Sequence, residues 1–324
     1  MATWLVRRLI QAVFVVLAMT VIVFVGVNVI GNPIDILISP EADQAERLRA
    51  IEALGLDKPL WQQYFIFITG LLHGDFGRSF VFNEPAMRVI LQRLPATMEL
   101  AVAAVLISIV LGIPAGLFAG LKPNAIASRV MMAGSILGFS LPSFWVGLML
   151  IMVFAVELGW LPSTGRGATV AVFGIQWSFL TIDGLKHLIL PAFNLALFNV
   201  SLIMRLTRAG VREALPADYV KFARAKGLHP SRVIGVHIMK NIMIPVVTVV
   251  GLELGTTIAF SVVTESIFAW PGVGKLIIDS INLLDRPVIV AYLMLIVFLF
   301  VLINLSVDLL YTVLDPRVRL EEQG

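Results

Sequence analysis

Residues 7–30 read RRLIQAVFVVLAMTVIVFVGVNVI. Two arginines stand before an uncharged apolar run, Leu9–Ile30. Crossing a hydrocarbon core of about 30 Å takes about 20 apolar residues at about 1.5 Å each, so this run is long enough. A secretory signal also opens with basic residues, but its apolar region covers only about 7–15 residues. No small-x-small cleavage pattern precedes Gly31-Asn32-Pro33. The stretch is therefore read as a retained transmembrane helix.

Five more runs qualify, near Thr97–Leu121, Val130–Ala155, His187–Leu206, Met243–Val263 and Val288–Thr312. Composition agrees. Hydrophobic residues make up 59% of the chain, the mean hydropathy is +0.94 and only 14% of residues are charged, against roughly a quarter in soluble domains. The expected fold is an all-α polytopic membrane protein with about six transmembrane helices, and membrane lipid is its first partner. A net charge of +3 is too small to argue for nucleic acid. Cysteine is absent, which excludes disulfides, thiolate metal sites and cysteine nucleophiles.

Basic residues set the orientation. With the N-terminus in the cytoplasm, the inner segments hold fourteen lysines and arginines, eight of them between Arg205 and Lys240. The two short outer loops hold four: Arg166, Lys186, Lys275 and Arg286. Both termini are expected inside. The long outer stretch Gly31–Pro95 does not span. Its pattern predicts a helix in Pro40–Ala53 stopped near Gly55, a second from Pro59 through Leu72, a turn at Gly74–Gly77, and a third over Glu84–Leu94 ended by Pro95. The chain divides into residues 1–94, a five-helix core over 95–312 with a cytoplasmic loop at 209–241, and a tail at 313–324.

In that loop, Pro216 and Asp218 suit a helix start, Tyr219–Lys226 a short helix, and Gly227 its C-terminal cap. Ser231 suits the cap of the next helix, which enters the membrane near Pro245. The loop admits two readings. Ala223, Ala225 and Gly227 around Arg224 suit close approach of a partner's backbone, and the basic residues suit an anionic lipid surface.

The segment Tyr219–Asn241 (YVKFARAKGLHPSRVIGVHIMKN), followed by Pro245, resembles the cytoplasmic loop of binding-protein-dependent ABC importer permeases, and most closely their dipeptide, oligopeptide and nickel branch. Leu54–Tyr64, Gly74–Ser79, Arg93–Ala101, Val262–Gly274 and Asn304–Arg319 carry the same resemblance, which covers essentially the whole chain. The wider superfamily has Glu-Ala-Ala, then Gly three residues on. Here Lys221 stands at the glutamate position and Glu213-Ala214 lies too far upstream. The resemblance implies a type I importer permease fold, with Ala223, Arg224, Ala225, Gly227 and Leu228 in a coupling helix that docks on an ATPase subunit. It also implies the partners: a second permease of different sequence, two ATPase subunits that bind ATP and Mg, and an extracytoplasmic substrate-binding protein. The chain itself would carry no cofactor. Di- or oligopeptide is the implied cargo; nickel and glutathione-type compounds are the alternatives.

Ionisable residues inside spans are functional candidates. Glu253 falls about 15 Å into the fifth span, and Thr257, Ser261 and Thr264 follow at helical spacing. Asn194, Ser201 and Arg205 make a second stripe on the fourth span, and Asn304 and Asp308 a short one on the sixth. The stripes suit a translocation path in which Glu253 attracts a cationic substrate group. They equally suit hydrogen bonds between packed helices, with Glu253 paired to a residue such as Arg205. Ser140, Pro142 and Ser143 interrupt the third span, as a kink or a gate hinge.

Ala269–Leu276 (AWPGVGKL) has a superficial phosphate-loop look but lacks its first glycine and its final Ser or Thr. His73, His187, His229 and His237 form no metal-binding spacing and suit surface or interface positions. No catalytic set is argued from spacing, so the chain reads as a non-catalytic subunit. A stand-alone secondary transporter, the rival from another class, often carries internal repeats and several midplane charges. Neither is visible here.

Overall fold

The computed structural model of the chain describes residues 2–29, 43–53 and 57–314. Helices dominate, and the described residues form one sheet, a two-stranded hairpin. In chain order, α1 is Ala2–Val29, α2 Gln44–Ala53, α3 Leu60–Leu72 and α4 Ala86–Leu121. α5 is Ile126–Ser140, and α6, Ser143–Leu150, continues through wider i→i+5 turns over Ile151–Glu157. Strands β1 (Val170–Val172) and β2 (Ile175–Trp177) follow, then α7 (Ile182–Ala214) and α8 (Asp218–Ala225). The turn α9 (Pro230–Arg232) passes through i→i+5 turns at Val233–Ile238 into α10 (Met239–Ile267). α11 (Val273–Asn282) and α12 (Arg286–Leu314) come last.

Among the described residues, five stretches are long and apolar enough to cross a membrane: Val6–Gly26, Ala86–Leu121, Ile182–Ala214, Pro230–Ile267 and Arg286–Val307. The pair Ile126–Ser140 and Ser143–Glu157 makes a sixth if counted as one span. Its two halves meet at 111°, so the third run is a broken helix and not one kinked span. Pro142 lacks an N–H and disfavours the helical region for the residue before it. Leu141 is accordingly extended, at φ −79° and ψ 136°.

A helix ended by Pro95 is not what forms. α4 runs unbroken from Ala86 through Pro95 to Leu121. The Leu91 carbonyl loses its donor at Pro95, but Leu91 is exposed, so that carbonyl need not go unpaired. The expected stop at Gly55 and residues 40–42 lie outside the described residues.

The chain divides into two compact units: residues 1–95 with 271–301, and residues 96–270 with 302–324. In the first unit α3 packs on α1. Tyr64 shares a hydrogen bond with Thr20 at 2.9 Å, and the Phe24 ring lies 5.3 Å from Tyr64 and 5.9 Å from Phe67. The expected turn follows. Gly74 and Gly77 take left-handed φ values of 74° and 80°, and Asp75 Oδ1 accepts from the Gly77 N–H at 2.9 Å. Buried Asp285 stands just before α12 and accepts from Ser79 Oγ and from the Phe80 N–H at 3.0 Å.

The second unit is built on close helix approach. Gly112, Gly116 and Gly120 recur every fourth residue on α4 and face α7. A Cβ at Gly112 would lie 3.0 Å from Ile203, one at Gly116 2.5 Å from the Met204 carbonyl oxygen, and one at Gly120 2.6 Å from Val211. Small residues at this spacing let two backbones touch, which drives helix association where the surroundings are as apolar as the side chains. Around the seam, Ile203, Val211, Val220, Ala223, Val233, Ile238, Ile242 and Val246 form one buried cluster that joins the 209–241 loop to α7 and α10.

Candidate functional site

α7 is placed by its own ends. Thr181 Oγ1 accepts from the Gly184 N–H at 2.8 Å, Asp183 sits in the first turn and Arg212 in the last, all as the helix dipole favours. α10 lies beside it, and two amide–hydroxyl pairs tie the helices together. Asn194 Nδ2 donates to Thr264 Oγ1 at 3.0 Å, and Asn199 Nδ2 to Thr257 Oγ1 at 2.8 Å. Between the pairs opens a cavity of about 430 Å³. Its wall consists of Ser143, Asn194, Leu195, Phe198, Asn199, Glu253, Thr256, Thr257, Phe260 and Thr264. Glu253 is the wall's one acidic residue, and the wall has no lysine, arginine or histidine. Thr256 Oγ1 donates to Glu253 Oε2 at 2.9 Å. Asn194 Oδ1 is buried without a hydrogen-bond partner.

Four of the six path candidates, Glu253, Thr257, Thr264 and Asn194, therefore share one cavity. The other two do not reach it. At about 100° per residue, Thr257 and Thr264 fall within about 40° of Glu253 around α10, whereas Ser261 lies about 80° away. Ser261 is fully buried, and its Oγ donates to Glu265 Oε1 at 2.9 Å. Ser201 donates to the Leu197 carbonyl at 2.9 Å and faces α5, where a Cβ on Gly138 would lie 3.1 Å from its Oγ. Arg205 is no partner of Glu253 either. Its guanidinium lies 4.6 Å from the Phe139 ring centroid, and its Nε donates to the Ser201 carbonyl at 3.2 Å. The Asp308 side chain lies outside the described residues.

Helix α8 ends as its glycine predicts. Gly227 has φ 72°, its N–H reaches the Arg224 carbonyl at 2.9 Å, and the Leu228 N–H reaches the Ala223 carbonyl at 3.3 Å. This is the Schellman arrangement, which needs a left-handed residue after the cap. Val220 and Ala223 point into the buried cluster, and Leu228 packs against it. Ala223 is buried and supports α8 from behind. Tyr219, Phe222, Arg224, Ala225 and Lys226 are exposed, with the Lys226 ammonium 4.4 Å from the Phe222 ring centroid. The next helix is capped by His229 and not by Ser231, because Pro230 takes the first helical position.

Two acidic side chains absent from the sequence reading turn out to be deeply placed. Glu265 is fully buried and accepts from Thr97 Oγ1 at 2.6 Å as well as from Ser261. Glu99 pairs with Arg166 at 2.7 Å and accepts from the Ser178 and Phe179 N–H groups at 2.8 and 2.7 Å. The Trp270 indole donates to the Ala96 carbonyl at 2.8 Å, in the segment with the phosphate-loop look. That segment is a turn followed by the first residues of α11.

Residues 112–320 match the family described as "Binding-protein-dependent transport system inner membrane component", and residues 1–101 match the corresponding N-terminal family. The di/tripeptide transport system permease protein DppB of Pseudomonas aeruginosa is 39% identical over 98% of this chain and 99% of its own length. The oligopeptide transport system permease protein AppB of Bacillus subtilis is 37% identical, and the glutathione transport system permease protein GsiC of Escherichia coli 36%, each over 98% of this chain and 99% of its own length. The fold is similar to that of a chain of the inward-facing MetNI methionine ABC transporter. The TM-score is 0.54 at 18% identity, covering 71% of this chain and 97% of that one. The chain is an all-α polytopic membrane protein that belongs to the family of binding-protein-dependent transport system inner membrane components.

Proposed function

We propose that this chain is the translocation subunit of an ATP-driven importer of di- or oligopeptides. The cargo is taken from relatives named for peptide transport that match it over nearly full length. A glutathione-type cargo is the second reading, supported by the 36% identity to GsiC. In this account residues 95–312 are the permease core, both termini are cytoplasmic, and a second permease completes the path. An extracytoplasmic binding protein delivers the substrate, and two ATPase subunits bind ATP and Mg.

The observation that carries the coupling role is the mounting of α8. Val220 and Ala223 hold it on the cluster that also contains Ile203 and Ile242 of the two cavity helices. Tyr219, Phe222, Arg224 and Ala225 stay exposed for a partner, and Gly227 sets the turn beside them. A displacement of α8 by nucleotide binding then passes into α7 and α10 as a rigid-body motion. Coupling follows only if the ATPases bind two arrangements of the permease with different affinity.

The test is a mild-detergent purification of the tagged chain with an ATPase assay. Wild type is expected to bring ATPase subunits and a second permease, with hydrolysis stimulated by loaded binding protein. Gly227→Asp and Arg224→Glu are expected to insert normally and lose that stimulation. A Cβ at Gly227 meets nothing within 4 Å, so the cost of the aspartate within the chain is the strain of a left-handed backbone, and Arg224→Glu is the companion variant without that strain. Normal uptake by both variants would sink the coupling role.

A further inference from the structure

The α7–α10 cavity has a chemistry that the importer reading does not supply. Its wall carries one formal charge, the carboxylate of Glu253, and no cationic side chain. Asn194 has spent its amide N–H on Thr264, and its carbonyl oxygen is buried without a donor. A buried acceptor with no partner is costly, so the missing donor is informative. The remaining wall includes the rings of Phe198 and Phe260, both substantially exposed. Acceptors, one negative charge and aromatic faces together suit a cation rich in N–H donors.

Size narrows the class. Glu253 and Thr264 are eleven residues apart on one helix, so the acid and the Asn194–Thr264 pair stand about 16 Å apart along it. An extended peptide of about five residues spans that length at about 3.5 Å each. The volume of about 430 Å³ falls in the range of small-ligand sites.

We propose that this cavity is an intramembrane subsite for the amino-terminal end of a short peptide. Glu253 receives the ammonium group and Asn194 Oδ1 accepts a backbone N–H further along. The peptide's carboxylate finds no counter-charge on this wall. Thr256 is a positioning residue, since its hydroxyl holds Glu253 Oε2. The proposal rests on the peptide-importer reading.

The experiment uses the whole importer with its binding protein in liposomes, with radiolabelled dialanine and pentaalanine as the probes; only the longer peptide spans from Glu253 to Asn194. Uptake and binding-protein-stimulated ATPase are read side by side for wild type, Glu253→Gln and Glu253→Asp. Expected is a loss of uptake of about tenfold or more in Glu253→Gln, the size of one charge-assisted hydrogen bond. Stimulated ATPase should persist in that variant, and Glu253→Asp should recover most of the uptake. Unchanged uptake in Glu253→Gln would overturn the subsite and leave the importer reading intact. Joint loss of uptake and ATPase in both variants would also overturn it, by making Glu253 an assembly residue. A wild-type complex that is neither stimulated by binding protein nor able to carry either peptide would instead remove the peptide reading beneath it.

Discussion

Gly116 is the position where a single methyl group should cost most. A Cβ there would lie 2.5 Å from the Met204 carbonyl oxygen and 2.7 Å from Thr207 Cβ. Ordinary contact between heavy atoms is about 3.5–4.0 Å, so α4 and α7 would have to part by about 1 Å. Most of that clash is with backbone, which no rotamer change relieves. Overpacking of this kind costs about 1–3 kcal/mol, and the geometry puts Gly116→Ala near the upper end. Alanine also gains about 1 kcal/mol over glycine in any helix. Gly134→Ala is the control, because its Cβ meets nothing within 4 Å and only the propensity gain remains. The gap between the two variants therefore isolates overpacking. At about 1.5 °C per kcal/mol, the per-residue unfolding entropy of soluble domains scaled to 324 residues, a gap of about 3 kcal/mol is about 4–5 °C in Tm. Thermal unfolding of the purified protein in one detergent, followed by tryptophan fluorescence, measures it. A Gly116→Ala variant that melts at or above Gly134→Ala would refute the close-packed seam.

Two further outcomes follow from the same coordinates. Arg166→Met strands the Glu99 carboxylate, whose side chain is 1% exposed, and is expected to cost about 3 kcal/mol. Adding Glu99→Gln should recover most of that loss in thermal unfolding; no recovery would mean that Arg166 acts through packing. α3 carries no charge, exposes Leu60, Trp61, Phe65, Ile66 and Leu72, and packs on Thr20 near the C-terminal end of the Val6–Gly26 span. Because the chain has no cysteine, a spin label on Phe65→Cys is unique. It is expected to relax faster with dissolved oxygen than with a water-soluble nickel chelate, as a site in lipid does. The reverse order would place this face in water.

The sequence by itself determined what depends on local pattern. The length of the apolar runs decided that the chain crosses a membrane, because no shorter or more charged segment satisfies its backbone in hydrocarbon. The Gly227 cap was legible because a left-handed residue after a helix is a local requirement. Helical spacing also put Glu253, Thr257 and Thr264 on one face, and a cavity lies along that face.

Only the tertiary structure decided which neighbour each face meets. Ser261 and Thr264 look alike in sequence, yet a rotation of about 60° around the helix turns one toward Glu265 and the other toward the cavity. Asn199 and Thr256 joined the wall without a signal of their own. Gly112, Gly116 and Gly120 stand four residues apart in the chain, but that spacing does not say that α7 is the helix pressed against them. Ala223 was read as a docking residue because it is small, and it proved small because it is buried. Pro95 was read as a stop, yet it lies within a continuous helix whose freed carbonyl is on an exposed residue. Glu99 and Glu265 find partners 67 and 168 residues away in the chain. Periodicity describes a side chain relative to its own helix axis. Contacts across such separations exist only once the helices have packed.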